Sequence, residues 1–199
     1  MISLLKNIDR FEVVLASESP RRYELLKMIG MEFKVRPSHL HEVYRDHQTP
    51  LDYVLENARQ KGRMVAEKAE QSLVLSADTI VVLDNEVLEK PADEVHAFTI
   101  LNKLSGRTHQ VITAFGMIIK ALNRSVYDYE VTEVTFRNLT QQEIKAYIES
   151  GEPFDKAGAY GAQGSGALLI ESINGCFYNV VGLPLARFFK TLEAFLLQI

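Results

Sequence analysis

The amino-acid sequence predicts an α/β protein, and three stretches carry that reading. Glu12 to Gly30 (EVVLASESPRRYELLKMIG) passes from a short apolar run through a hydroxyl-rich loop into a helix. Leu73 to Leu83 (LVLSADTIVVL) is the most hydrophobic strand signal in the chain. Gln110–Ile119 and Val126–Phe136 read as two long strands, and the residues between them are too few for a crossover helix, so the pair is antiparallel. Strands interleaved with amphipathic helices place the chain in the α/β class.

With 199 residues the chain can bury one sizeable core, and no repeat, low-complexity tract or linker divides it, so residues 1–199 are read as a single domain. The net charge of −4 and pI near 5.8 provide no global basic field for nucleic acid or a membrane surface. Any positive charge that meets a polyanion must therefore be gathered locally. Cys176, the only cysteine, rules out an intramolecular disulfide and reads as a small buried hydrophobe in a reducing compartment. No apolar run approaches a membrane span, and MISLLKNIDR is too short and too charged for a signal peptide. A cytoplasmic protein is expected.

In the first stretch Val13–Ala16 form a buried strand, Ser19 is a good N-cap and Pro20 sits at N1, where its missing N–H costs nothing. Leu25, Leu26, Met28 and Ile29 supply the apolar face, and Gly30 stops the helix. Arg21 and Arg22 break a local rule, because cations in a first turn oppose the helix macrodipole. Two guanidiniums and two hydroxyls at a helix start suit a phosphate; the bland alternative is a solvated arginine pair.

Met31 to Arg36 alternates as a half-exposed strand does, and Pro37 ends it. Ser38 to Gln48 reads as a polar loop. Its His39, His41 and His47 match no compact zinc spacing, and Glu42 alone is a plausible hard-metal ligand. Thr49-Pro50 opens a second helix with Leu51, Val54, Leu55, Ala58, Val65 and Ala69 as its stripe. Lys61 borders that stripe, as a snorkelling lysine does. Asp78, in the middle of the 73–83 run, needs a partner or a metal if it is to stay ionised, which makes it a functional candidate.

Asp84-Asn85 is turn chemistry, Val87-Leu88 returns, and Glu89-Lys90-Pro91 closes the hairpin. Asp93–Leu104 is a helix stopped by Ser105-Gly106, and Thr140–Glu143 is a capping box opening another with Ile144, Tyr147 and Ile148 inside. Glu152 to Gly166 (EPFDKAGAYGAQGSG) concentrates glycine around Lys156, Tyr160 and Gln163, and reads as a binding loop rather than a flexible connector. Ala167–Ile173 and Phe177–Val181 are expected to form a last hairpin about Asn174-Gly175, before a final amphipathic helix.

The ordered pieces Ser17-Glu18-Ser19-Pro20-Arg21-Arg22, Ser76-Ala77-Asp78-Thr79, Glu89-Lys90-Pro91, Leu104-Ser105-Gly106 with His109, and Asp155-Lys156-Ala157-Gly158 with Tyr160-Gly161 resemble the Maf-type nucleoside triphosphate pyrophosphatases. The resemblance runs from about residue 13 to 187. It implies a long mixed β-sheet flanked by helices with a central cleft, akin to the inosine triphosphate pyrophosphatases (Maf/Ham1-like). It also implies hydrolysis between the α- and β-phosphates with a divalent metal cation, Mg²⁺ or Mn²⁺. Asp78 matches the family's proposed proton acceptor, and Ser17, Arg21, Arg22, Glu42, Lys61, Lys90 and Lys156 fall on its phosphate- and metal-handling positions. Arg21, Thr79 and Gln163 look like the branch acting on thymidine and uridine triphosphates and related modified nucleotides; another branch acts on 7-methylguanosine triphosphate. Gly62, where an alanine is usual, departs from the pattern in a way expected to loosen the helix. A homodimer is common in such families.

The chemistry agrees with the resemblance. Cleaving a triphosphate needs charge stabilisation on the transferring and leaving groups and an aligned water. Asp78 and Glu42 could hold the metal, or Asp78 could orient or deprotonate the water; the residues leave both open. Gln163, donor and acceptor at once, could read a pyrimidine edge. A non-catalytic nucleotide-binding regulator of cell division is the rival class, and an acid beside phosphates argues against it.

Overall fold

The computed structural model describes Leu5, residues 7–40 and residues 48–199. Glu42, with the rest of 41–47, lies outside the described residues. In chain order the elements are β1 (Val13–Leu15), α1 (Pro20–Met28), β2 (Lys34–Val35), α2 (Pro50–Ala66), β3 (Leu73–Leu83), β4 (Glu86–Leu88) and α3 (Glu94–Leu104). β5 (Thr108–Ile119), β6 (Arg124–Phe136), α4 (Gln141–Glu149), β7 (Ile170–Asn174), α5 (Phe177–Val181) and α6 (Leu185–Leu196) follow. The strands form one seven-stranded sheet in the order β2-β1-β3-β5-β6-β7, with β4 paired to β3. It is mixed: β1 runs parallel to β2 and β3, whereas β3–β4 and β6–β7 are antiparallel.

The chain divides into two compact units. The first comprises residues 1–78, 113–130 and 182–199. Its core includes Val14, Ala16, Val65, Ala66, Val74 and Ile118. β1 is buried throughout, because each of its residues pairs with β3 between covered faces. The second unit comprises residues 79–112 and 131–181. There Val81, Leu101, Leu104, Val134, Phe136, Ile144 and Tyr160 pack together. α4 starts on the expected capping box, with Thr140 and Glu143 exchanging side-chain-to-backbone hydrogen bonds. Asp84 and Asn85 both take positive φ in the β3–β4 turn, the conformation such a two-residue hairpin needs.

Four local expectations change. Met28 is exposed, and the buried face of α1 is Arg22, Leu25 and Leu26. Only Lys34–Val35 of the 31–36 stretch is strand; it is the outermost strand of the sheet, and Val35 is exposed. The last hairpin does not form: β7 pairs with β6 instead, and Phe177–Val181 is helix α5. Asn179 explains the switch. Its side-chain N–H₂ donates to Val111 O at 2.9 Å and Thr132 Oγ1 at 3.0 Å, which fixes this short apolar segment as a helical turn. Such runs are ambiguous in period, and tertiary partners decide them. Cys176, finally, is only half-buried. No helix among the described residues is long and apolar enough to cross a membrane.

Candidate active site

The first unit contributes two neighbouring pieces of chemistry. At the start of α1, Ser19 caps the helix by accepting from Arg22 N, with Pro20 at N1. Arg22 turns back into the protein and is buried. Its Nε donates to Gly182 O at 3.0 Å and its Nη1 to Ser17 Oγ at 3.1 Å. Both acceptors help to hold a cation in a first turn, support that the local sequence did not display. Ser17 is buried as well, and also accepts from Ser19 N at 3.2 Å. Arg21 is half-buried.

The second piece is Asp78. It lies in β3 with only 4% of its surface exposed. α2 reaches it with two side chains one turn apart: Lys61 Nζ donates to Oδ1 at 2.7 Å, and Asn57 Nδ2 donates to Oδ2 at 2.9 Å. Each carboxylate oxygen thus has a donor, which burial of the charge requires. Lys61 is an ion-pair partner buried to 9% exposure, not a snorkelling lysine; the reading changes because its acceptor belongs to a different element. Asn57 was missed. Its only sequence signal is the i,i+4 spacing from Lys61 along the apolar stripe.

Gly62 makes this pairing possible. A Cβ there would lie 2.8 Å from both Ser76 Oγ and Ile118 Cδ1. The glycine lets α2 settle directly on β3, two residues from Asp78, so it tightens the packing instead of loosening the helix.

The second unit holds the other candidates. Thr79 follows Asp78 on β3, is half-buried, and by strand alternation points to the opposite face. Lys90 is exposed just after β4, and Gln163 is exposed at the entrance to a 3-10 segment, Gly164–Leu169. Lys156 Nζ is held by Glu152 O and, at 2.7 Å, by Asp155 Oδ1. The surrounding glycines serve internal contacts. A Cβ on Gly161 would meet Lys156 Cε at 2.9 Å, and one on Gly166 would lie 2.3 Å from Gly161 O. The segment is a folded series of 3-10 turns, so the glycine count reflects close packing. Burial pushes the Glu152 carboxyl up, but hydrogen bonds from Ser165 and the Gly166 N–H, with Lys156 nearby, outweigh it and hold the group below its ordinary range. His109 is a core residue: Nε2 lies 2.7 Å from Tyr160 Oη, and the ring packs edge-on against Phe136. Burial lowers its pKa to about 4, so it is neutral at pH 7.

Among the described residues no group of three His, Cys, Asp or Glu side chains could hold a metal by itself. The donor chemistry of Asp78 nevertheless suits Mg²⁺, which commonly binds one or two carboxylates together with substrate phosphates. Lys61 and Asn57 take one direction at each oxygen and leave lone pairs over.

The Maf-like protein family model matches residues 12–195. The chain belongs to this family. This Maf-like protein is 46% identical over 184 residues to the dTTP/UTP pyrophosphatase of Bacillus pumilus (strain SAFR-032), covering 92% of this chain and 96% of that one. It is 47% identical over 183 residues to the dTTP/UTP pyrophosphatase of Carboxydothermus hydrogenoformans, covering 92% and 97%. Its fold is similar to that of the Staphylococcus aureus Ham1 protein, with a TM-score of 0.52 at 17% identity over 94% of this chain and 98% of that one.

Proposed function

We propose that this Maf-like protein hydrolyses the α–β phosphoanhydride bond of dTTP, UTP and related modified pyrimidine triphosphates, releasing the nucleoside monophosphate and pyrophosphate. The reading is supported by the names of relatives at 46% and 47% identity. The observation that carries the chemistry is a buried carboxylate, Asp78, aimed by Lys61 and Asn57. In this reading Asp78 takes a proton from water as the water oxygen bonds to the α-phosphorus. The bond from that phosphorus to the bridging oxygen breaks, and its electrons leave with pyrophosphate. Asp78 and a phosphate oxygen would hold a divalent cation, which when bound supplies charge neutralisation and a more acidic water. Glu42 remains a proposed second ligand.

The turn carrying Ser17, Arg21 and Arg22 is assigned to the phosphates as a unit, and Lys61 supplies positive charge where the anion develops. Lys90 and Lys156 keep the phosphate roles that the family resemblance implies, while Thr79 and Gln163 keep base recognition. A half-buried lone thiol and a nucleotide substrate both fit a cytoplasmic setting.

The test is product analysis with dTTP, UTP and 7-methylguanosine triphosphate in Mg²⁺. Monophosphate and pyrophosphate from the first two are expected. Orthophosphate release would overturn the bond assignment, preference for the methylated purine would move the protein to the other branch, and binding without turnover would make it a regulator.

A further inference from the structure

Ser17 has a hydrogen-bonding inventory that decides what it can do. A serine hydroxyl has one proton and two lone pairs. Here the oxygen receives Ser19 N–H at 3.2 Å and Arg22 Nη1–H at 3.1 Å. Neither donor can accept in return, since a guanidinium and a backbone amide have no usable lone pair. Both acceptor positions of Ser17 are therefore filled, and its own proton has no acceptor among the described residues. Arg22 is itself fixed by Gly182 O at 3.0 Å and buried, so the arrangement is braced at a second point.

The geometry points to a division of labour within the Ser-Pro-Arg-Arg turn: Ser17 is a one-way hydrogen-bond donor to a phosphate oxygen of the substrate, and Arg22 is the positioning residue that makes it one. The inference rests on the triphosphate reading above and refines it. With its lone pairs taken, Ser17 serves neither as a metal ligand nor as a nucleophile, because each role needs a free pair on the oxygen. Arg22 acts on the substrate through Ser17, which leaves Arg21 as the guanidinium that meets phosphate directly. An anionic oxygen is the natural acceptor for so constrained a hydroxyl, since charge-assisted hydrogen bonds are shorter and stronger than neutral ones.

Calorimetric titration with a UTP analogue carrying a methylene in place of the α–β bridging oxygen, in Mg²⁺, tests this on the intact protein. Loss of a hydrogen bond to a charged group predicts that Ser17→Ala weakens binding about tenfold, and that Ser17→Thr, which keeps the donor, restores most of it. Arg22→Lys cannot serve Gly182 O and Ser17 Oγ from one planar fork, so it is expected to lose a similar factor. In the Ser17→Ala background Arg22→Lys should add less than about twofold, because the residue through which it acts is gone. A merely structural Arg22 would lower the melting temperature and leave the two losses additive. Ser17→Ala binding within about twofold of wild type, or full additivity, overturns the proposal. Should Arg22→Lys fail to fold, the Ser17→Ala and Ser17→Thr pair still decides. A wild-type protein that neither binds the analogue nor turns over UTP overturns the underlying function instead.

Discussion

Replacing Lys61 by Met is the most direct probe of the pair at the centre of the proposed site. The side chains of Lys61 and Asp78 are 11% and 6% exposed, with Nζ 2.7 Å from Oδ1. Methionine preserves the length and apolar stem of lysine but leaves Oδ1 buried without its ammonium. Removing one member of a buried ion pair costs about 3–5 kcal/mol, because the remaining charge keeps its desolvation penalty. Asn57 still donates to Oδ2, which puts the expectation at the lower end, about 3 kcal/mol. For a chain of this size each kcal/mol moves the melting temperature by about 2–4 °C, so a fall of about 6–12 °C is expected. Thermal and urea unfolding followed by circular dichroism read it. The control is the double variant Lys61→Met with Asp78→Leu, in which both charges are gone; its stability should return to within about 1 kcal/mol of wild type although turnover is lost. A single Lys61→Met variant melting within about 2 °C of wild type would refute the claim that burial of Asp78 depends on this partner.

Asp78→Asn should fold, since its amide oxygen can still accept from Lys61, yet lose about 10²–10⁴-fold in turnover in a product assay, the usual worth of a general base. Gln163→Glu is expected to alter the ranking of dTTP, UTP and 7-methylguanosine triphosphate in competition assays, because a carboxylate accepts but does not donate. Gly62→Ala crowds Ser76 and Ile118, a cost of about 1–3 kcal/mol against about 1 kcal/mol gained in helix propensity, so urea melts should show a net loss of about 1 kcal/mol. His109 has its folded pKa lowered to about 4 from 6.5 by burial. The unfolded chain therefore binds the proton first, and the stability that depends on neutral His109 is complete above pH 6.5 and lost as pH falls towards 4, by up to about 3 kcal/mol. His109→Gln should flatten that part of the stability–pH curve measured by denaturant titration.

Most of the sheet and its helices was legible because their signals are local. Ser19-Pro20 and Thr49-Pro50 announce helix starts, and the 73–83 run matches β3 residue for residue. Asp78 stood out for the same reason, as a carboxylate where an apolar pattern allowed none. Its partners were hidden because their meaning is tertiary. Lys61 and Asn57 sit on an ordinary amphipathic stripe, and only the packing of α2 on β3 reveals what they face. Gly62 shows the same limit: in a helix it reads as a weakness, and against Ser76 and Ile118 it becomes the condition for close approach. In Phe177–Val181 the deciding contact is Asn179 with residues far away in sequence, so periodicity alone chose the wrong element.

An acidic protein that handles a polyanion must hold its few relevant cations in place, because mobile ones would have to be ordered at the moment of binding. Immobilising a lysine or arginine side chain costs about 2 kcal/mol of rotamer freedom. For the cations proposed above to serve the triphosphate, that ordering is completed during folding: in the first unit Lys61 is set by Asp78 and Arg22 by Gly182 O and Ser17, and in the second unit Lys156 is set by Asp155 and Glu152 O, with Gly161 making room for its stem. Two of these acceptors are carboxylates, which cancel part of the positive charge they position. That trade favours substrate over stray anions. A surplus of unpaired lysines would attract any phosphate, whereas a cation fixed in one position discriminates among the ligands that reach it. Substitutions that release these side chains while keeping their charge should therefore weaken triphosphate binding more than they weaken binding of orthophosphate, and net charge is a poor guide to this protein's affinity for its substrate.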